Sequence, residues 1–203
     1  MAALYIAGTG AFAAEIKEYA RDAGHDVVAL IEWLDPARVG SRIHDVPVIA
    51  LGPPPDEGAR FVIASGGDLD EVAGEFGALG WRGAELMHPG AHVAASATVA
   101  TGAVIGPGVV VGAETAVGGH SRLARGALVG HHTRIGSAVS VNPGANIAGN
   151  CVIGDGAFVG MGAVVTPGVN VGERGIVAAG ALVLRDVAPG ERVQGVPAAP
   201  YES

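Results

Sequence analysis

A single cysteine, Cys151, stands in 203 residues, so no disulfide can form within the chain. That scarcity fits a reducing compartment, and Cys151 reads as a small core residue rather than a nucleophile. Charged residues make up only 16% of the chain, and Lys plus Arg number 12 against 20 Asp plus Glu, a net charge of -8. No basic cluster reverses this locally, which excludes nonspecific binding to nucleic acid. An anionic ligand would have to be held by backbone amides and a few placed Arg or His side chains. No apolar run approaches the roughly 18 residues of a membrane span, and the opening MAALYIAGTG lacks the basic stretch and cleavage site of a signal peptide. The expectation is a cytoplasmic protein with no membrane and no nucleic acid among its partners.

Aromatics are equally scarce at 4%, yet 49% of the residues are hydrophobic and 34 are glycine. With a mean hydropathy of +0.41, this combination means tight turns repeated between short buried strands. From Leu4 to Met87 the pattern alternates. Leu4–Gly8, Asp26–Trp33, Val46–Ala50, Phe61–Ser65 and Ala84–Met87 read as strands, and Ala11–Ala23 and Leu69–Leu79 as helices. Strands separated by helices imply a small parallel sheet, here a Rossmann-like α/β domain over residues 1–87.

At His92 the pattern changes. From there to Val187 the chain divides into sixteen consecutive hexads without one insertion, and the second residue of each is aliphatic, from Val93 through Val183. A fixed period of six with a β-branched residue and a Gly-containing turn specifies a three-sided parallel β-helix of about five coils, three hexads to a coil. Residues 88–203 form this second domain with a C-terminal tail.

Four stretches carry a family resemblance: the loop Gly8-Thr-Gly-Ala-Phe-Ala, the boundary Met87-His-Pro, the segment from Gly130 to Val165, and GVPAAP from Gly195. Together they resemble the bacterial sugar acyltransferases of the sialic acid O-acetyltransferase type, which include N-acetyltransferases of nucleotide-linked amino sugars. The resemblance spans essentially the whole chain. It implies a left-handed β-helix, against the usual right-handed preference of parallel crossovers, a homotrimer, acetyl-CoA as co-substrate and no metal.

The resemblance also implies roles. His131, in the turn Gly130-His131-His132 after Val129, corresponds to the family's general base. An amine or hydroxyl must lose a proton as it attacks a thioester, and an imidazole titrates in the range where it can accept one. A corner of a prism is where two trimer subunits can meet. His132 stands where the family commonly has a carboxylate that orients the base, so it is either part of the catalytic pair or merely exposed. For acyl-CoA the resemblance points to Gly149, one coil of eighteen residues above His131, and to Ser140 and Asn142. Asn142 could instead simply shape its turn. His120, in another turn, reads as solvated.

The loop at Gly8, Gly10 and Ala11 follows a strand and opens a helix, so its amides could cradle a diphosphate. Read alone, this pattern also suits a dinucleotide with Glu32 on a ribose, or an ordinary tight turn. By resemblance it holds the nucleotide of a nucleotide-sugar, with Glu32 or Asp35 near base or ribose and Ser65 and Gly66 opposite. The leading expectation is acetyl transfer to the amine of such a sugar, direct and without an acyl-enzyme. Its alternatives are O-acetylation of a sugar or sialic acid and a noncatalytic nucleotide-sugar-binding trimer. A metal site like that of the β-helix carbonic anhydrases is not supported, because His120, His131 and His132 lack its spacing.

Overall fold

The computed structural model describes residues 3–201. The N-terminal unit is a six-stranded, mostly parallel sheet. It is built from β1 (Ala3–Ala7), β2 (Asp26–Glu32), β3 (Arg42–Ile43), β4 (Val46–Ala50), β5 (Arg60–Ile63) and β6 (Arg82–Gly83), with helices α1 (Ala11–Asp22) and α2 (Leu69–Ala78). The strand order is β3-β4-β2-β1-β5-β6, and only β3 runs antiparallel to its neighbour. β1 lies at the centre because it is apolar on both faces: Leu4, Tyr5, Ile6 and Ala7 are all buried. Ile16, Tyr19 and Ala20 of α1 close one side of this core, and Leu69, Val72 and Phe76 of α2 the other.

The strand expected at Ala84–Met87 does not form as one: the last strand of the N-terminal sheet lies earlier, at Arg82–Gly83, whereas Leu86–Met87 pairs with Val104–Ile105 and forms the first rung of the β-helix. From there the first two residues of every hexad form a strand, and three sheets of eight, six and five strands make the faces of a left-handed prism. The first face runs through Arg122–Leu123 and Ser140–Val141, the second through Leu128–Val129 and Asn146–Ile147, the third through Arg134–Ile135 and Val152–Ile153. The second residue of each pair points inward, and Leu123, Val129, Ile135, Val141, Ile147 and Ile153 are each 3% exposed or less. Hydrophobic burial along this ladder is the main stabilising term.

The corners obey their own rule. At every fifth hexad position from Gly102 to Gly180 the backbone has a positive φ, whatever residue stands there. Glycine meets this without strain; Glu114, His120, His132, Ala138, Asn150 and Arg174 adopt it at a cost.

The N-terminal unit packs on the first face. Leu86 and Val104 join the core of Leu4 and Ile6, and polar ties surround this seam: Arg125 to Glu15 at 2.8 Å, Arg174 to Asp68 at 2.9 Å and His88 to Asp22 at 3.2 Å. His120 belongs to the same seam, contrary to its reading as a solvated turn. Its ring lies 5.6 Å from that of Phe61 and fills the space over Gly83 and Gly102, where no Cβ could fit. The N-terminal unit covers that corner, a contact between distant segments that no local pattern announces.

Burial lowers the His120 pKa from its ordinary value, opposed by the charge of Asp70, and its Nδ1 is buried without a partner. The unfolded chain therefore binds a proton more readily than the folded one below the ordinary value of 6.5. Thermal unfolding should show stability falling as pH drops below that value, and His120→Asn should flatten this part of the profile even though it costs stability at pH 8.

Candidate functional site

The first turn of the N-terminal unit is tight by necessity. Gly8 has φ +127°, and a Cβ there would meet the Ala64 carbonyl oxygen at 2.9 Å. Gly10 caps α1 with no side-chain hydrogen bond, leaving the first-turn amides without a side-chain acceptor. Gly8, Gly10 and Ala11 from this turn, Glu32 and Asp35 from the end of β2, and Ser65 and Gly66 from the end of β5 all border one cleft of about 420 Å³. These are the seven residues singled out in the sequence for a nucleotide.

Glu32 is only 6% exposed. Its Oε1 accepts from the backbone amides of Trp33, Leu34 and Asp35 at 2.8–3.2 Å, and its Oε2 from the Thr9 hydroxyl. Burial pushes its pKa up, but the hydrogen bonds from Thr9 and the three amides outweigh that, and the net shift is downward. Arg38 adds a bond to Thr9 Oγ1 at 3.0 Å and an ion pair to Asp35 at 3.1 Å. Asp35 in turn accepts from the Ala37 amide. The rim of the cleft is thus a charge-assisted network with Glu32 at its centre, and neither Thr9 nor Arg38 was singled out by sequence. Only the pairing of β1 with β2 brings Thr9 to Glu32.

His131 and His132 sit at the corner between the second and third faces, both exposed. Their Nδ1 atoms are 3.1 Å apart and their rings meet edge to face at 5.2 Å. Such a pair requires one Nδ1 to donate and the other to accept. When His131 donates, its Nε2 is left with a free lone pair. Gly149 lies directly over the His131 ring: a Cβ at Gly149 would be 2.8 Å from its Nε2 and Cε1. Beneath, a Cβ at Gly112 would meet the His131 amide nitrogen at 2.6 Å. Gly149 above therefore leaves the space that the imidazole fills, and Gly112 below the space for the backbone that carries it. Glu114 occupies the corner one coil below His132, but among the described residues no carboxylate is hydrogen-bonded to either ring.

Ser140 and Asn142 are elsewhere. Ser140 is buried on the first face, and Asn142 turns the corner between the first and second, its Nδ2 donating to the Val159 carbonyl at 3.0 Å. In one chain, then, Gly149 and His131 are together, whereas Ser140 and Asn142 lie by the N-terminal unit. The sequence reading also passed over Arg122, on the first face below Ser140. Its signal was a cation at an outward strand position, where the neighbouring first-face rungs carry Val104 and Ser140.

Residues 132–167 match the family described as bacterial transferase hexapeptide (six repeats). No curated protein sequence matches the chain. Among solved structures, PerB from Caulobacter crescentus in complex with CoA and GDP-perosamine is similar over 100% of this chain and 98% of its own, at 29% identity and a TM-score of 0.87. The acetyltransferase domain of PglB from Neisseria gonorrhoeae is similar over 99% and 100%, at 27% identity and a TM-score of 0.87. WeeI from Acinetobacter baumannii shares the fold at 21% identity. The chain is an acyltransferase built on hexapeptide repeats. In this acyltransferase no helix among the described residues is long and apolar enough to cross a membrane.

The rim network yields a stability prediction. Because the Glu32 carboxyl is depressed when folded, its contribution is present above the ordinary value of 4.5 and is lost as pH falls through the lower folded value. Glu32→Gln should cost roughly 1–3 kcal/mol at pH 7, as expected when charge-assisted bonds are lost. Denaturant titrations should show the gap to wild type narrowing towards pH 3.

Proposed function

We propose that this acyltransferase moves the acetyl group of acetyl-CoA to the amine of a nucleotide-linked amino sugar, with His131 as general base and no covalent acyl-enzyme. The observation that carries this reading is that the likeness to PerB, bound to CoA and GDP-perosamine, extends over the N-terminal unit as well as the prism. A prism alone would argue for an acyltransferase of any substrate.

The N-terminal cleft takes the nucleotide, with the diphosphate against the amides that open α1 and residues 1–87 serving as the substrate-recognition unit. His131 Nδ1 donates to His132 Nδ1, so its Nε2 accepts the proton from the amine as nitrogen attacks the thioester carbonyl. The new N–C bond forms, the C–S bond breaks, and the proton passes from His131 to the departing thiolate. His132 accepts a hydrogen bond from the imidazolium, and as a neutral acceptor it supports that charge less than a carboxylate does. This suits an amine, which can arrive already deprotonated, better than a hydroxyl. Backbone amides around Gly149 polarise the thioester carbonyl, and Ser140 and Asn142 border the pantetheine path. Nothing in the mechanism calls for a metal.

The working unit is a homotrimer. The N-terminal cleft opens on the first face, and His131 stands at the corner opposite that face. One copy's nucleotide and another copy's His131 would make each reaction centre. The second face supplies an apolar surface for assembly, with Val110, Leu128 and Val164 each 38–41% exposed. A buried free Cys151 fits the cytoplasm.

The test is thiol release from acetyl-CoA with GDP-, UDP- and dTDP-linked amino sugars. Turnover with one of them should fall by about two or more orders of magnitude in His131→Ala. Gly149→Ala, which displaces the ring, should lose about 100-fold in kcat, and adding it to His131→Ala should cost little more. Turnover with sugars bearing only hydroxyls would replace N- with O-acetylation, and no turnover at all would leave a binding trimer.

A further inference from the structure

The nucleotide cleft does not end within the N-terminal unit. It continues past Phe12, Ser65 and Gly66 into a second hollow of about 270 Å³ between that unit and the prism, and Arg122 forms the floor there. A third hollow, of about 470 Å³, runs on along the first face from Arg122 past Ser140 and Phe158.

Arg122 is a half-buried cation with neutral partners only. Its Nη1 donates to the Ser65 carbonyl at 3.1 Å, its Nη2 to Ser140 Oγ at 3.3 Å, and the guanidinium lies 4.7 Å from the centre of the Phe12 ring. Glu15, the carboxylate whose charge reaches it, is already bonded to Arg125 and Tyr19. Among the described residues no salt bridge joins Arg122 to any carboxylate. Burying a charge without a counter-charge is costly, and arginine cannot escape by losing its proton. The other Arg residues that tie the prism to the N-terminal unit, Arg125 and Arg174, are both neutralised there. Beside Arg122, Ser65 Oγ is buried and has no partner. A cation without a counter-charge and a buried hydroxyl without a partner thus meet at the point where the cleft crosses from one unit to the other.

We propose that Arg122, a residue of the prism, binds the second phosphate of the nucleoside diphosphate, while the amides at the start of α1 hold the first. This rests on the nucleotide-sugar reading above and deepens it. The prism then does more than carry the acyl donor: it completes the diphosphate subsite and directs the sugar along the first face. The fork of the guanidinium, already held by Ser65 and Ser140, suits phosphate oxygens. Coenzyme A also carries a diphosphate and is the other source of this chemistry.

The experiment is calorimetric titration of the whole protein with GDP, UDP and dTDP, with the matching monophosphates, and with CoA. In Arg122→Gln the affinity for the preferred diphosphate should fall about 10- to 100-fold, the range for a lost charge-assisted contact. The monophosphate and CoA should each change by less than about threefold. Arg122→Lys keeps the charge without the fork and should fall between the two. It guards against a Gln variant that does not fold, which melting curves would reveal. An equal loss for diphosphate and monophosphate, an unchanged diphosphate, or a loss confined to CoA would each overturn the assignment. A wild type that binds no nucleotide would overturn the nucleotide-sugar reading itself and this assignment with it.

Discussion

Everything in this molecule depends on the eighteen-residue repeat distance of its coils. Parallel pairing puts Val129 beside Val111 and Ile147, and Ile135 beside Val117 and Ile153. Each aliphatic side chain buries only by stacking on those a coil above and below. No hexad is stable alone, so the ladder selects for an exact count of residues between rungs. The count, in turn, lines up the corners. Gly149 stands over His131 because 149 and 131 differ by one coil, and the imidazole takes its position from the same register that fills the core.

That register imposes conditions on the corner residues that their own chemistry would not favour. The left-handed backbone at the fifth hexad position is cheap for Gly168 or Gly180, but His132 must adopt it too, at φ 57°. It does so where its ring meets that of His131. Strain at a turn of this kind is tolerated because the coils on either side fix the backbone through hydrogen bonds such as His132 N to the Ala113 carbonyl at 2.8 Å.

The N-terminal unit joins the prism through a seam that is part core and part charge. Leu86 and Val104 serve both units at once, while Arg125 and His88 reach Glu15 and Asp22 of α1 and Arg174 reaches Asp68, which caps α2. This arrangement sets the cleft against the first face and leaves His131 at the corner on the other side of the prism. Within one chain the cleft and His131 therefore stand on opposite sides of the prism, which is why the proposed function joins them across copies.

Much of this was legible in the amino-acid sequence. The sixteen hexads specified three faces, inward Val and Ile ladders and the stacking of Gly149 on His131, because a strict period translates directly into a position in space. The alternation of strand and helix before Met87 likewise specified a parallel sheet whose strand ends at Gly8, Glu32 and Ser65 surround one cleft. The sequence could not place His120 under Phe61, join Thr9 and Arg38 to Glu32, assign Arg82–Gly83 and Leu86–Met87 to different sheets, or bring Arg122 to Ser65. Most of those contacts join segments distant in the chain, as Thr9 with Glu32 and Phe61 with His120, through the docking of one unit on the other and the order of strands in a sheet. Neither leaves a period in the chain. Local repetition determined the fold and the corner; only the packing of distant surfaces decided which side chains share the groove.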